Sequence, residues 1–189
     1  MKSLVTEPHR LGMVLFILSE AAFFAVLISS YIYFQAAFTP GPNASNSLHP
    51  VTAAVYTVFL LSSSVTMWFA GKSVEHDNVR AQVIWLVVTL ALGVVFLFGQ
   101  VNEYLTLLSQ NITMNTNLFG TTFYTLTGFH GLHVFLGLVA IAILAALAMV
   151  GVFRGARSTP VEVVSLYWHF VDVVWIVLFG LIYLWPLLA

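Results

Sequence analysis

Long apolar runs broken by short polar stretches set the plan of this chain. Five runs stand out: Leu11–Phe34, Val51–Gly71, Ala81–Val101, Phe123–Val152 and Val161–Leu187. Each reaches the roughly 20 residues that an α-helix needs to cross a bilayer. The fourth, near 30 residues, predicts a helix that tilts or extends beyond the lipid. Punctuating residues separate them: Thr39-Pro40-Gly41-Pro42-Asn43, the charged stretch Lys72 to Arg80, the polar stretch Ser109 to Asn117, and Arg154 to Pro160. No repeat of fixed period is visible. The pattern predicts one all-α membrane domain over residues 1–189, a polytopic bundle of five transmembrane helices with short loops.

The cations then orient it. Lys2 and Arg10 precede or open the first run, Lys72 and Arg80 lie between the second and third, and Arg154 and Arg157 lie between the fourth and fifth. The other three intervening or terminal segments carry no lysine or arginine. Positive residues gather on the cytoplasmic side, so the N-terminus is expected inside and the C-terminus outside. A missed or surplus helix would scramble this alternation, so it also supports the count of five.

Composition narrows the class further. Hydrophobic residues make up 60% of the chain and charged residues 7%, where a soluble domain carries about a quarter charged residues. The outer surface must face lipid. A net charge of −1 leaves no basic footprint, and nucleic acid is excluded as a partner. There is no cysteine, which removes disulfides, iron–sulfur clusters, thiolate zinc sites and cysteine nucleophiles together. No cleavable leader is expected, because the first run is long enough to span and no small-residue cleavage pattern follows it.

Ionisable groups inside the runs carry the candidate chemistry. Glu20 falls about nine residues into the first run. His130 and His133 lie well inside the fourth, and His169 and Asp172 lie roughly eight to eleven residues into the fifth. Glu103 sits at the outer end of the third run and Glu162 at the inner mouth of the fifth. A charge at the centre of a lone helix costs on the order of 3 kcal/mol on insertion scales. These side chains are therefore expected to face protein and to pair. Three readings compete. His130-x-x-His133 with His169-x-x-Asp172 offers four ligands for a metal, or one histidine from each of two helices for a haem. Glu20, His169 and Asp172 could conduct protons, as buried titratable groups do in pumps. Or the groups are polar glue between helices, with lipid headgroup contacts at the ends.

Smaller features have simpler readings. Gly128, Gly131 and Gly137 read as close-packing points on the fourth helix. Trp68, Trp85, Trp175 and Trp185 lie mostly toward run ends, as interface anchors do. Trp168 and Trp175 share a face with Asp172, which offers either an indole bond to that carboxylate or plain packing.

Four strings now carry a resemblance. Leu11-Gly12-Met13-Val14-Leu15-Phe16-Ile17-Leu18-Ser19-Glu20-Ala21-Ala22-Phe23-Phe24 resembles the helix that holds the buried carboxylate of haem–copper oxidase subunit III. Glu103-Tyr104, Thr127-Gly128-Phe129-His130-Gly131-Leu132-His133-Val134 and Tyr167 to Trp175 resemble that family's later motifs, in the same order. The likeness covers about residues 8 to 187 and points to the cytochrome c oxidase form.

The resemblance implies an accessory, non-redox subunit of a proton-pumping terminal oxidase in aerobic respiration. Haem and copper belong to partner subunits. Subunit III is expected to pack beside subunit I, near subunit II, and to hold phospholipid in a cleft. It would help sustain proton uptake and resist turnover inactivation, and the cleft has been considered an oxygen entry route. No catalytic, cofactor or metal site is expected in this chain. Glu20, Glu103, His130, His133, His169 and Asp172 become polar ties lining the lipid cleft. Arg80, Arg154 and Arg157 become headgroup contacts, at about 1 kcal/mol per cation near the surface. The location implied is a bacterial plasma membrane.

The likeness aligns this chain with the last five of seven helices in the longer family form. Five-helix members occur among quinol and bacterial cytochrome c oxidases, where a neighbouring subunit can supply the missing pair. Without it the cleft has one wall. Where the longer form has a histidine pair after the second helix seen here, this chain has Gly71-Lys72, so a lipid contact at that spot lacks its histidines. Other occupants of the same plan are a quinol oxidase subunit III, an accessory protein of nitric oxide reductase, and a stand-alone membrane cytochrome b. Copper ligands in a neighbouring subunit II would separate the first of these, gene neighbourhood the second, and a Soret band the third.

Overall fold

A computed structural model describes residues 8–36, 47–151 and 159–188. Five long helices carry the fold: α1 (Pro8–Ala36), α2 (Pro50–Glu75), α3 (Val79–Ser109), α4 (Leu118–Met149) and α5 (Thr159–Phe179). α5 continues through a π-helical turn, Gly180–Leu184, into a last α-helical turn, Trp185–Leu188. All five are long and apolar enough to cross a membrane, and no strand is found among the described residues. The described residues form an all-helical, multi-pass membrane bundle.

The helices outrun the apolar patterns, because polar caps end a helix and the edge of the hydrocarbon does not. α3 begins where the Asn78 side chain accepts the Ala81 N–H and continues to Ser109, well past Val101. α4 begins five residues before Phe123, where Asn117 accepts the Gly120 N–H. It stops short of Val152, and Gly151 follows at a positive φ of 78°. The charged stretch Lys72 to Arg80 proves mostly helical: only residues 76–78 join α2 to α3, with Asp77 at φ 51°.

α2 and α3 form a tight hairpin, and α4 packs beside α3. α5 lies against α1, α2 and α4 and supplies much of the core: Trp168, Val171, Trp175 and Leu178 are all buried. α1 packs against α4 and α5 at the edge of the bundle, with little of its own surface buried. In its most apolar stretch 6% of residues are buried, against 39% in α2, α4 and α5. Large apolar side chains cover the outside, among them Leu15, Val26, Phe98 and Val139. Water would not tolerate that surface, and hydrocarbon does.

Candidate functional site

Three polar clusters cross between helices, and each grows from a local feature of sequence. The first joins α2 to α5. In the middle of α2 lies a run of three hydroxyls, Ser62-Ser63-Ser64. Ser64 Oγ donates to Asp172 Oδ2 and lies 2.8 Å from His169 Nδ1. A hydroxyl has one proton. With that proton given to the carboxylate, the Ser64 oxygen accepts from His169, so the imidazole proton sits on Nδ1. A nucleophilic serine needs the opposite arrangement, with the imidazole accepting its proton. This Ser–His–Asp group is therefore a tie and not a hydrolytic triad.

The same seam is closed by two indoles. Trp168 Nε1 donates to Ser63 Oγ at 3.0 Å, and Trp175 Nε1 donates to Thr57 Oγ1 at 2.9 Å. An indole bond to Asp172 is thus overturned: the hydroxyls of α2 take both N–H groups. Trp175 is also no interface anchor, being 1% exposed, while Trp68 and Trp185 are exposed at 49% and 55%. The Trp168 ring is seated by missing side chains. A Cβ at Gly137 would stand 2.8 Å from it, and one at Gly93 would stand 3.1 Å from it and 2.6 Å from Leu138. Of the three glycines expected to allow close packing, Gly137 does so. Gly131 has nothing within 4 Å and Gly128 only the Tyr104 hydroxyl at 3.7 Å. Gly93 and Gly99 were missed, the latter lying under the Tyr56 ring.

The second cluster joins α1 to α4. Glu20 Oε2 lies 3.0 Å from His133 Nε2. His133 Nδ1 lies 2.7 Å from the Phe129 carbonyl, which can only accept, so Nδ1 donates. One proton then remains for the contact between Nε2 and the carboxyl. Whether it rests on oxygen or nitrogen, the pair as a whole carries no net charge, which lowers the cost of its depth. Tyr167 of α5 donates to the His133 carbonyl at 3.1 Å and ties in a third helix. The Phe24 ring stands 5.0 Å from the imidazole.

The third cluster lies where α3 meets the end of α5. Tyr183 Oη donates to Glu103 Oε2 at 2.5 Å. The π-helical turn carries Tyr183, and such turns often mark functional positions. Glu103 lines a cavity of about 150 Å³ with His49, Thr52, Gln100, Thr106 and Trp175. The next residue along α3, Tyr104, bonds Thr127 of α4 at 2.7 Å.

His130 makes no tie. It is fully buried, and neither ring nitrogen has a partner among the described residues. Instead it stacks on Trp175 at 4.9 Å and meets the edges of Phe96 and Phe24. Its role is that of one more ring in the core. The four ligands expected for a metal are thus dispersed: His133 faces α1, while His169 and Asp172 face α2. No group of three or more histidine, aspartate and glutamate side chains placed to hold a metal is found among the described residues. Arg80 is exposed in the first turn of α3, and Lys72 caps the Trp68 ring at 3.9 Å. Arg154 and Arg157 lie outside the described residues.

Comparison with known proteins adds an independent line. The family model described as "Cytochrome c oxidase subunit III" matches residues 2–187. A protein named cytochrome c oxidase subunit 3 from Thermostichus vulcanus is 37% identical over 175 residues, covering 92% of this chain and 86% of its own. Its namesake in a Synechocystis strain is 38% identical over 180 residues, covering 94% of this chain and 76% of its own. That of Corynebacterium diphtheriae is 37% identical over 175 residues, covering 91% and 85%.

Proposed function

The chain belongs to the cytochrome c oxidase subunit III family, and from that premise we propose that it steadies the oxidase by binding subunit I and phospholipid. The family is the accessory subunit of haem–copper oxidases and carries no redox cofactor. In this reading the reaction, reduction of dioxygen with proton pumping, belongs to the assembly. Haem and copper sit in its partner subunits. This chain packs beside subunit I, with subunit II in the same complex, and sustains proton uptake and turnover lifetime.

One observation carries the reading. Glu20, Glu103, His133, His169 and Asp172 are each engaged by a side chain of another helix. Groups already holding helices together are poor candidates for binding iron or copper. They suit a rigid scaffold that presents an apolar surface to lipid and to neighbouring subunits. The bacterial relatives support a bacterial plasma membrane, and the cations support an N-terminus on its cytoplasmic side. On that side Arg80, Arg154 and Arg157 would meet anionic headgroups.

The test removes the chain from the purified complex. Operating lifetime and proton pumping are expected to fall, and re-addition is expected to restore both. An oxidase that keeps full lifetime and full pumping without this chain rules out the supporting role.

A further inference from the structure

The lipid-facing side of α5 is not uniformly apolar. Glu162, Leu166, His169, Val173, Ile176 and Gly180 follow one another at alternating spacings of four and three residues, which places them on one stripe. Val173 and Ile176 are 59% and 51% exposed, so the stripe faces away from the bundle. His169 interrupts it, half-buried. It lies about 15 Å along the helix from Thr159 at 1.5 Å per residue, inside a hydrocarbon layer about 30 Å thick.

The tie to Ser64 makes this histidine informative. With the Ser64 proton given to Asp172, Nδ1 donates to the Ser64 oxygen. The other nitrogen, Nε2, is then an acceptor on a half-buried ring and makes no hydrogen bond among the described residues. At this depth acyl chains offer it nothing, and an unmet polar group in hydrocarbon is costly. Gly180, further along the stripe, has open space where a Cβ would stand, which lets a neighbour approach closely.

We propose that this stripe is a docking face for one transmembrane helix of another polypeptide, which presents a hydroxyl, amide or indole donor to His169 Nε2. The inference rests on the chain working inside a multi-subunit oxidase. It adds which face is covered and by what chemistry. Lipid, water and a second copy of this chain are the competing occupants.

The experiment uses the assembled complex with a photo-crosslinking residue at Val173, and a control at Ile143, which is 55% exposed on α4. The Val173 probe should join a partner helix with a donor side chain level with His169. In parallel, His169→Phe should leave the complex roughly three- to twentyfold faster in detergent, as loss of one interhelical bond allows, and His169→Gln should restore retention. Insertion of the Val173 probe into lipid alone, into another copy of this chain, or into a helix with no donor at that level overturns the proposal. So does unchanged retention of His169→Phe. Co-purification is scored separately: a complex that keeps this chain while the probe meets only lipid refutes the docking face and leaves the accessory role standing.

Discussion

α5 and α1 are both apolar spans of similar length, yet they are held in opposite ways. α5 is sewn to α2 by three hydroxyls, Thr57, Ser63 and Ser64, and its Trp168 ring fills a seat formed at Gly93 and Gly137. α1 lies at the edge of the bundle, with Phe24 and Tyr31 among its few buried residues, and reaches α4 through one polar pair. The contrast teaches where binding energy resides in a membrane bundle. Apolar burial does little there, because lipid is as apolar as leucine. Close packing at glycines and bonds between polar side chains decide which helix is fixed. α5 has both. α1 has mainly Glu20–His133, and its position depends on that pair.

The sharpest way to break the contrast is at Trp168. Trp168→Ala should destabilise the purified chain by about 3–5 kcal/mol, since it empties a seat between three helices. Midpoints of denaturant unfolding would measure it, and a loss below about 1 kcal/mol would show that α5 is held some other way. Next comes the seat itself. Gly137→Ala should cost about 1–3 kcal/mol because its Cβ would stand 2.8 Å from the indole. Gly131→Ala on the same helix should cost nothing and can gain from helix propensity, because nothing lies within 4 Å. Equal effects at the two glycines would refute the seating argument.

A smaller effect is expected at α1. A double-mutant cycle on Glu20→Gln and His133→Asn should give a coupling of about 0.6–1.7 kcal/mol, the range for interhelical bonds in membranes. Protease or thiol accessibility should show α1 loosening while α5 stays protected. Coupling near zero would mean that ring packing around Phe24 alone places α1. Smallest is Ser64→Ala, at about 0.6 kcal/mol, because the indole ties on either side remain.

This contrast also shows what the sequence could carry. Five spans were legible because hydropathy over twenty residues is a strong signal, and four family strings identified the lineage. Helix ends were not, since Asn78 and Asn117 cap α3 and α4 in polar surroundings that read as loop. The polar residues themselves were visible, but their partners were not. Pairing Glu20 with His133, and both His169 and Asp172 with Ser64, requires knowing that α1 adjoins α4 and α2 adjoins α5. The serine run in α2 was a usable clue, because hydroxyls amid an apolar span commonly bond to another helix. Gly93 gave no such warning. Its importance comes from a tryptophan 75 positions later in the chain.

The central claim is that the ionisable side chains of these spans hold helices and hold no redox centre. The most direct measurement is the partition of haem and copper when this chain is stripped from the purified oxidase. All of the haem and copper should stay with the remaining subunits, and the released chain should show no Soret band. Haem or copper leaving in proportion to the chain would contradict the account.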